Sequence, residues 1–135
     1  MANTFLLTII TPYGRYLEVN AEFLQVRNDK YSMGILPNHA PLVSTVSIDK
    51  VLVRAGGQEF IYACGGGIIE VEKEKVTLIL NSIERKDEID LERAKQAKER
   101  ALNRLENKDD DAVDIARAQA ALARAIVRID VSENN

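Results

Sequence analysis

Over the first 86 residues apolar positions recur at every second residue, in short runs broken by turn signals. Phe5, Leu7 and Ile9 alternate with Leu6, Thr8 and Ile10, which predicts a strand buried on both sides. Thr11-Pro12-Tyr13-Gly14 follows as a turn. Val19 to Arg27 forms a second extended region, with Leu24 and Val26 alternating with Phe23 and Gln25, and Asn28-Asp29 ends it as a turn. Ser32 to Leu36 then runs into Pro37-Asn38-His39-Ala40-Pro41. Val51–Arg54 and Glu59–Cys64 flank Ala55-Gly56-Gly57-Gln58, a hairpin signal. Ile68–Val71 and Val76–Ile83 flank the charged turn Glu72–Lys75. Strands this short, with turns this frequent, predict an antiparallel sandwich or barrel.

Beyond residue 86 the period changes. Leu91, Ala94, Ala97 or Lys98, Ala101 and Leu105 recur at helical spacing, predicting a helix from Asp90 to about Glu106. Ile115, Ala118, Leu122, Ala125 and Ile129 repeat at alternating steps of three and four. They predict a second helix from about Asp111 to Val131 with a coiled-coil seam. Asp109-Asp110-Asp111 reads as the break, with Asp111 as N-cap and Asp114 in the first turn. Asp87 or Asp90 is placed to cap the first helix. The short connection makes an antiparallel hairpin the economical arrangement.

Composition changes at the same point. All 7 Gly, all 3 Pro and all 7 aromatics precede residue 87, whereas 10 of the 15 alanines follow it. This implies two kinds of backbone, a β-sandwich domain over 1–86 and a two-helix domain over 87–135. Alanine buries little area and short helices are marginal alone. The hairpin therefore needs a partner to pack on (the sandwich, another protein or a ligand) and reads as a movable element.

The charge balance, 18 Lys+Arg against 21 Asp+Glu, argues against general nucleic-acid binding. Cys64 is the only cysteine, which excludes an internal disulfide, and its apolar surroundings make it a core residue. No stretch approaches the roughly 20 apolar residues of a membrane span. Asn3–Ile10 has no basic leader and no cleavage site, so it does not read as a signal peptide.

Common catalytic motifs are absent: no H-E-x-x-H, C-x-x-C, G-x-S-x-G or G-x-x-x-x-G-K-[ST] occurs. Gly65-Gly66-Gly67 leads into a strand-like segment rather than a helix, so it reads as a tight strand-to-strand bend, not a phosphate cradle. His39 is the only histidine and has no ligand partner nearby, which leaves a loop histidine that orders its turn or touches a partner. Arg93, Arg100 and Arg104 share the spacing of Arg117, Arg124 and Arg128, each set along one helix face. One reading is a solvated basic stripe paired with acids. The other is that the folded hairpin joins both stripes around a polyanion such as a nucleotide phosphate chain, with Glu84 and Asp90 near its sugar or base.

Four motifs in order then match one family. Gly34-Ile35-Leu36-Pro37-Asn38-His39-Ala40-Pro41-Leu42 is similar to its G-[IV]-L-x-x-H-A-P-L stretch, and Gly65–Val71 to its glycine-rich lead into a strand ending E-V. Asp90–Ala94 and Ala121–Ala125 resemble its helix motifs. Over its full length the chain resembles the epsilon subunit of the bacterial F-type ATP synthase. The resemblance implies a sandwich of about ten strands and a non-catalytic subunit of the rotating central stalk. Such a subunit would be a peripheral membrane protein on the cytoplasmic face of the cell membrane, held there only through the complex.

Its sandwich would grip the gamma subunit and the c-ring, with Tyr31, Ser32, Pro37 and His39 at that contact. Its helices would extend toward the alpha/beta catalytic head and block ATP hydrolysis, with Arg117, Arg124 and Arg128 meeting the head. In some bacterial members the folded hairpin binds ATP, which favours the non-inhibitory state. By that analogy ATP is a regulatory ligand rather than a required cofactor, and no metal site is implied. Glu84, Ile89, Asp90 and Ala94 would line the base and ribose side, and Arg93, Arg100, Arg124 and Arg128 the phosphates. The alternatives are a purely mechanical coupling subunit and brake, an unrelated sandwich enzyme or ligand-binding module, and a scaffold whose helices pair as a coiled-coil dimer.

Overall fold

The computed structural model describes residues 3–107 and 114–134. Eight strands come first: β1 (Phe5–Thr11), β2 (Gly14–Ala21), β3 (Phe23–Arg27), β4 (Ser32–Ile35), β5 (Leu42–Ala55), β6 (Gln58–Val71), β7 (Lys75–Leu80) and β8 (Ile83–Arg85). A 3-10 turn (Lys86–Glu88) leads to two helices, α1 (Leu91–Glu106) and α2 (Ile115–Glu133).

The strands form one hydrogen-bonded sheet in the order β2-β1-β7-β6-β5-β3-β4, with β8 also paired to β6. Two 14-residue strands, β5 and β6, fold this sheet into a sandwich. Leu42–Val46 of β5 and Gly67–Val71 of β6 join β7, β1 and β2 in one layer. Ile48–Ala55 and Gln58–Gly65 join β3, β4 and β8 in the other. Eight continuous strands thus supply ten strand segments, five to a layer, which reconciles the strand count with the sandwich of about ten strands. The pairing is antiparallel except between β1 and β7, which run parallel, so the purely antiparallel expectation needs that correction.

The sequence reading also divides strands differently from the structure. Ile68–Val71 and Glu59–Cys64 are halves of one strand, and β5 begins nine residues before the expected Val51. The reason lies at Ser47 and Gly66, which are left out of the β5–β6 ladder. On β6 the positions in the main core are Tyr62 and Cys64 before this point but Ile69 and Val71 after it, so the core-facing parity reverses. A pattern whose phase flips mid-strand reads as two strands. Glu22 divides the expected Val19–Arg27 strand into β2 and β3, its backbone N–H bonded to the Arg54 carbonyl at 2.7 Å. In β1 Phe5, Leu7 and Ile9 are buried, whereas Leu6 and Ile10 are only half-buried.

The glycine triplet sits at the crossing, inside β6 rather than between strands. Gly66 has φ +86°, and a Cβ on Gly67 would lie 2.0 Å from the Ile79 carbonyl oxygen. The main core fills the space between the layers, with Leu7, Ile9, Leu24, Val53, Ile69 and Leu78 among its buried members. Cys64 is 2% exposed within it, and burial pushes its thiol pKa up to about 11.

Asp90 caps α1, its carboxylate accepting from the Arg93 N–H at 3.1 Å. Asp114, not Asp111, caps α2 in the same way through Arg117 N–H at 3.1 Å, so this helix starts at Ile115. The expected break Asp109–Asp111 lies outside the described residues. The helices pack on each other with Ala94 and Ala101 of α1 and Ala118 and Ala125 of α2 buried. The predicted seam on α2 is thus used within the chain, although Ile115 at its start is exposed. A second face of α2, absent from the predicted seam, carries Val127 and Val131 onto Ala63, Ile48, Ile61 and Ile89.

Candidate nucleotide groove

Four segments supply the walls of a groove of about 390 Å³: Glu84 from β8, Glu88 and Asp90 from the entry to α1, Arg93, Ala94, Ala97 and Arg100 from α1, and Arg128 from α2. Arg93, Ala97 and Arg100 lie on one side of α1 because they are spaced three and four residues apart. Arg128 arrives because α2 runs back along α1.

Each carboxylate in the groove already has a partner. Glu84 accepts from Arg128 Nε at 2.5 Å, in a pair about 30% exposed on the Arg side and 28% on the Glu side. Asp90 is occupied by the helix cap. Glu88 accepts from the Arg85 N–H at 2.8 Å and from the Tyr16 hydroxyl. Tyr16 stands edge-on to Tyr62, 6.1 Å between ring centroids, and burial pushes its hydroxyl pKa well up, with the Glu88 bond adding to it. This brace ties β2 to the turn before α1 and fixes that wall. By contrast, Arg93 and Arg100 form no ion pair among the described residues. The groove therefore presents two uncompensated guanidiniums on one helix face, beside acids held by other bonds, which suits an anion at one end and a neutral polar group at the other.

Six of the residues singled out from sequence line this groove: Glu84, Asp90, Arg93, Ala94, Arg100 and Arg128. Ile89 packs instead with Ala63, Val127 and Val131. Arg124, half-buried one turn before Arg128, does not line the groove. Arg104 and Arg117 are exposed near the far end of the hairpin, so only part of the two arginine stripes converges. Glu88 and Ala97 were not singled out. Ala97 carried a signal, its spacing from Arg93 and Arg100; Glu88 carried none, because its partner Tyr16 is 72 residues away in sequence.

The segment around β4 has a separate geometry. Tyr31 is exposed at the end of a turn in which the Asn28 side-chain oxygen accepts from the N–H groups of Lys30 and Tyr31, both at 2.8 Å. Ser32 Oγ accepts from Gln25 Nε2 at 2.9 Å. Pro37 and His39 lie in the loop after β4, where Asn38 has φ 65° and His39 Nδ1 donates to the Ala40 carbonyl at 2.7 Å. Among the described residues no group of three His, Cys, Asp or Glu is arranged to hold a metal ion, and no helix is long and apolar enough to cross a membrane.

Comparison with known proteins supplies the family. A model of the ATP synthase delta/epsilon chain beta-sandwich domain matches residues 4–86, and one of the delta/epsilon chain long alpha-helix domain matches residues 87–133. The ATP synthase epsilon chain of Desulfitobacterium hafniense (strain Y51) is 40% identical over 134 residues, covering 99% of this chain and 100% of that one. The epsilon chain of Bacillus cytotoxicus is 43% identical over 129 residues, 96% of each chain. Among solved structures, a chain of the Euglena gracilis mitochondrial ATP synthase assembly of OSCP, F1 and c-ring superposes with a TM-score of 0.79 at 23% identity. The match covers 90% of this chain and 76% of that one, and it speaks to the fold alone. With family models spanning both halves and relatives matched end to end at about 40% identity, this chain belongs to the ATP synthase epsilon-chain family, whose members are non-catalytic subunits of that complex.

Proposed function

We propose that this chain serves in the central stalk of an F-type ATP synthase as a coupling subunit that also senses ATP. In this reading the sandwich binds the gamma subunit and the c-ring on the cytoplasmic face of the membrane, with Tyr31, Ser32, Pro37 and His39 at the contact. The hairpin is the regulatory part. Extended, it meets the alpha/beta catalytic head through Arg117, Arg124 and Arg128 and stops hydrolysis. Folded and holding ATP, it leaves the head free.

The observation that carries the nucleotide reading is the convergence of Arg93, Arg100 and Arg128 with Glu84 and Asp90 in one groove whose walls come from both helices of the folded hairpin. A ligand that spans α1 and α2 binds the folded form better than the extended one, and only such differential affinity shifts a conformational balance. The phosphates would lie against Arg93, Arg100 and Arg128, with Arg124 one turn away, and the base and ribose against Glu84, Ile89, Asp90 and Ala94.

Calorimetric titration of the full chain with ATP tests this. Saturable binding near one site is expected, weakened roughly 10- to 100-fold in Arg93→Ala or Arg100→Ala, since charged hydrogen bonds are each worth about 1.5–3 kcal/mol. Absence of binding at millimolar ATP would sink the sensor and leave a mechanical coupling subunit and brake.

A further inference from the structure

The seat of α2 on the sandwich carries a charge pattern that the groove does not require. On the outer face of the second layer, Lys50 of β5, Ala63 of β6 and Glu84 of β8 form one cross-strand row, since Ala63 pairs with Lys50 on one side and Glu84 on the other. The row reads cation, small apolar, anion. The helix above it reads the reverse. Val127 and Val131 rest on the Ala63 region, Asp130 meets Lys50 Nζ at 2.9 Å, and Arg128 meets Glu84 at 2.5 Å.

Helix geometry makes this match regular. At about 100° per residue, Val127 and Val131 lie about 40° apart. Arg128 then falls about 80° to one side of their midline and Asp130 about 80° to the other. A helix laid along β6 with the two valines down must therefore send those two charges to β8 and β5. Turned end for end, it would set Arg128 toward Lys50 and Asp130 toward Glu84. Ala63 in the centre is only 4% exposed, and its small side chain lets the helix come close.

We propose that the Lys50–Ala63–Glu84 row is a docking code for α2, fixing the register and direction in which the hairpin seats and setting the balance between docked and undocked hairpin. Surface ion pairs are individually weak. Among the described residues the apolar footing is a small cluster, Val127 and Val131 against Ala63, Ile48, Ile61 and Ile89, so weak pairs form a large share of what holds the helix down. Lys50 and Asp130 lie outside the groove, so the code can be altered on that side without touching a groove residue. The inference needs no nucleotide, and it survives if ATP does not bind.

The test is amide hydrogen exchange of the full-length chain without nucleotide, comparing Lys50→Glu, Asp130→Lys and the double exchange. Asp130→Lys also removes the bond that the Asp130 carboxylate accepts from Asn134 Nδ2 at 2.6 Å, whereas Lys50→Glu leaves the helix sequence untouched, so loss of protection in Lys50→Glu reports undocking rather than fraying of the helix end. Each single reversal is expected to raise exchange over residues 125–133 roughly two- to tenfold, with the β1 and β7 amides of the core unchanged. The double exchange is expected to return protection toward that of the original chain. Unchanged exchange in both singles, or a double no better protected than the singles, would overturn the proposal.

Discussion

A single methyl group on Gly67 would sit 2.0 Å from the Ile79 carbonyl oxygen and 2.8 Å from the Leu80 Cα, both backbone atoms of a neighbouring strand. Neither can yield as a side chain would. Gly67→Ala is therefore expected to cost about 3 kcal/mol or more, read as a lowered urea midpoint at unchanged slope. Gly65 is confined differently. Its Cβ would meet Ser82 Oγ at 2.1 Å, a group that can rotate away. The glycine triplet thus serves a close approach of chains within one strand, not the tight bend between two strands that its sequence context suggested. Residue identity shows that small residues are wanted here; which atoms press on them depends on β7 and Ser82, which lie further along the chain.

At the scale of elements, the helices were the most legible part. Asp90 stands where the period-3.6 pattern begins, and Glu106 ends α1 where the pattern ends. The start of α2 was misplaced because four aspartates, 109–111 and 114, offer the same capping chemistry. The N–H that donates to the capping carboxylate settles the choice: it is that of Arg117, and the carboxylate is that of Asp114. Asp114→Ala is expected to remove about 1 kcal/mol from the first turn of α2. Amide exchange would show faster exchange at Arg117 and Ala118, with the docked segment 125–133 little changed. Equal loosening along the whole helix would mean that the cap supports docking as well. The strands were less legible, because β5 and β6 reverse their core-facing parity at Ser47 and Gly66, and alternation defines a strand only while its phase holds.

For the whole molecule, the hairpin's attachment is polar as much as apolar, so it should respond to solution conditions more than the sandwich core does. The Lys50 side chain holds the Asp130 carboxyl below its ordinary value of 3.8, and Asp130 raises Lys50 above its ordinary 10.5. A lowered carboxyl pKa gives stabilisation that is full above the ordinary value and fades as pH falls through the folded one. A raised lysine pKa gives stabilisation that is full below 10.5 and fades as pH rises through the folded value. Docking of α2, followed by exchange over 125–133 and corrected for the intrinsic pH dependence of amide exchange, is therefore expected to be strongest between these limits. It should weaken with added salt at neutral pH, because both partners are partly exposed to solvent. A docking strength indifferent to salt would place its source in Val127 and Val131 alone.

The two kinds of backbone, the antiparallel helix pair, the cap at Asp90 and the membership implied by the motifs are all legible in the chain, because each is written in periodicity or contiguous residues. The sequence also presented the arginines as candidates without deciding which of them meet. That decision belonged to tertiary structure. Arg128 reaches Glu84 across 44 positions and Tyr16 reaches Glu88 across 72, while Arg104 and Arg117 stay outside the groove. A helical pattern fixes which side chains share a face, but the direction that face takes is set by what it packs against. For α2 that is a row of three residues drawn from three different strands, which no local pattern records.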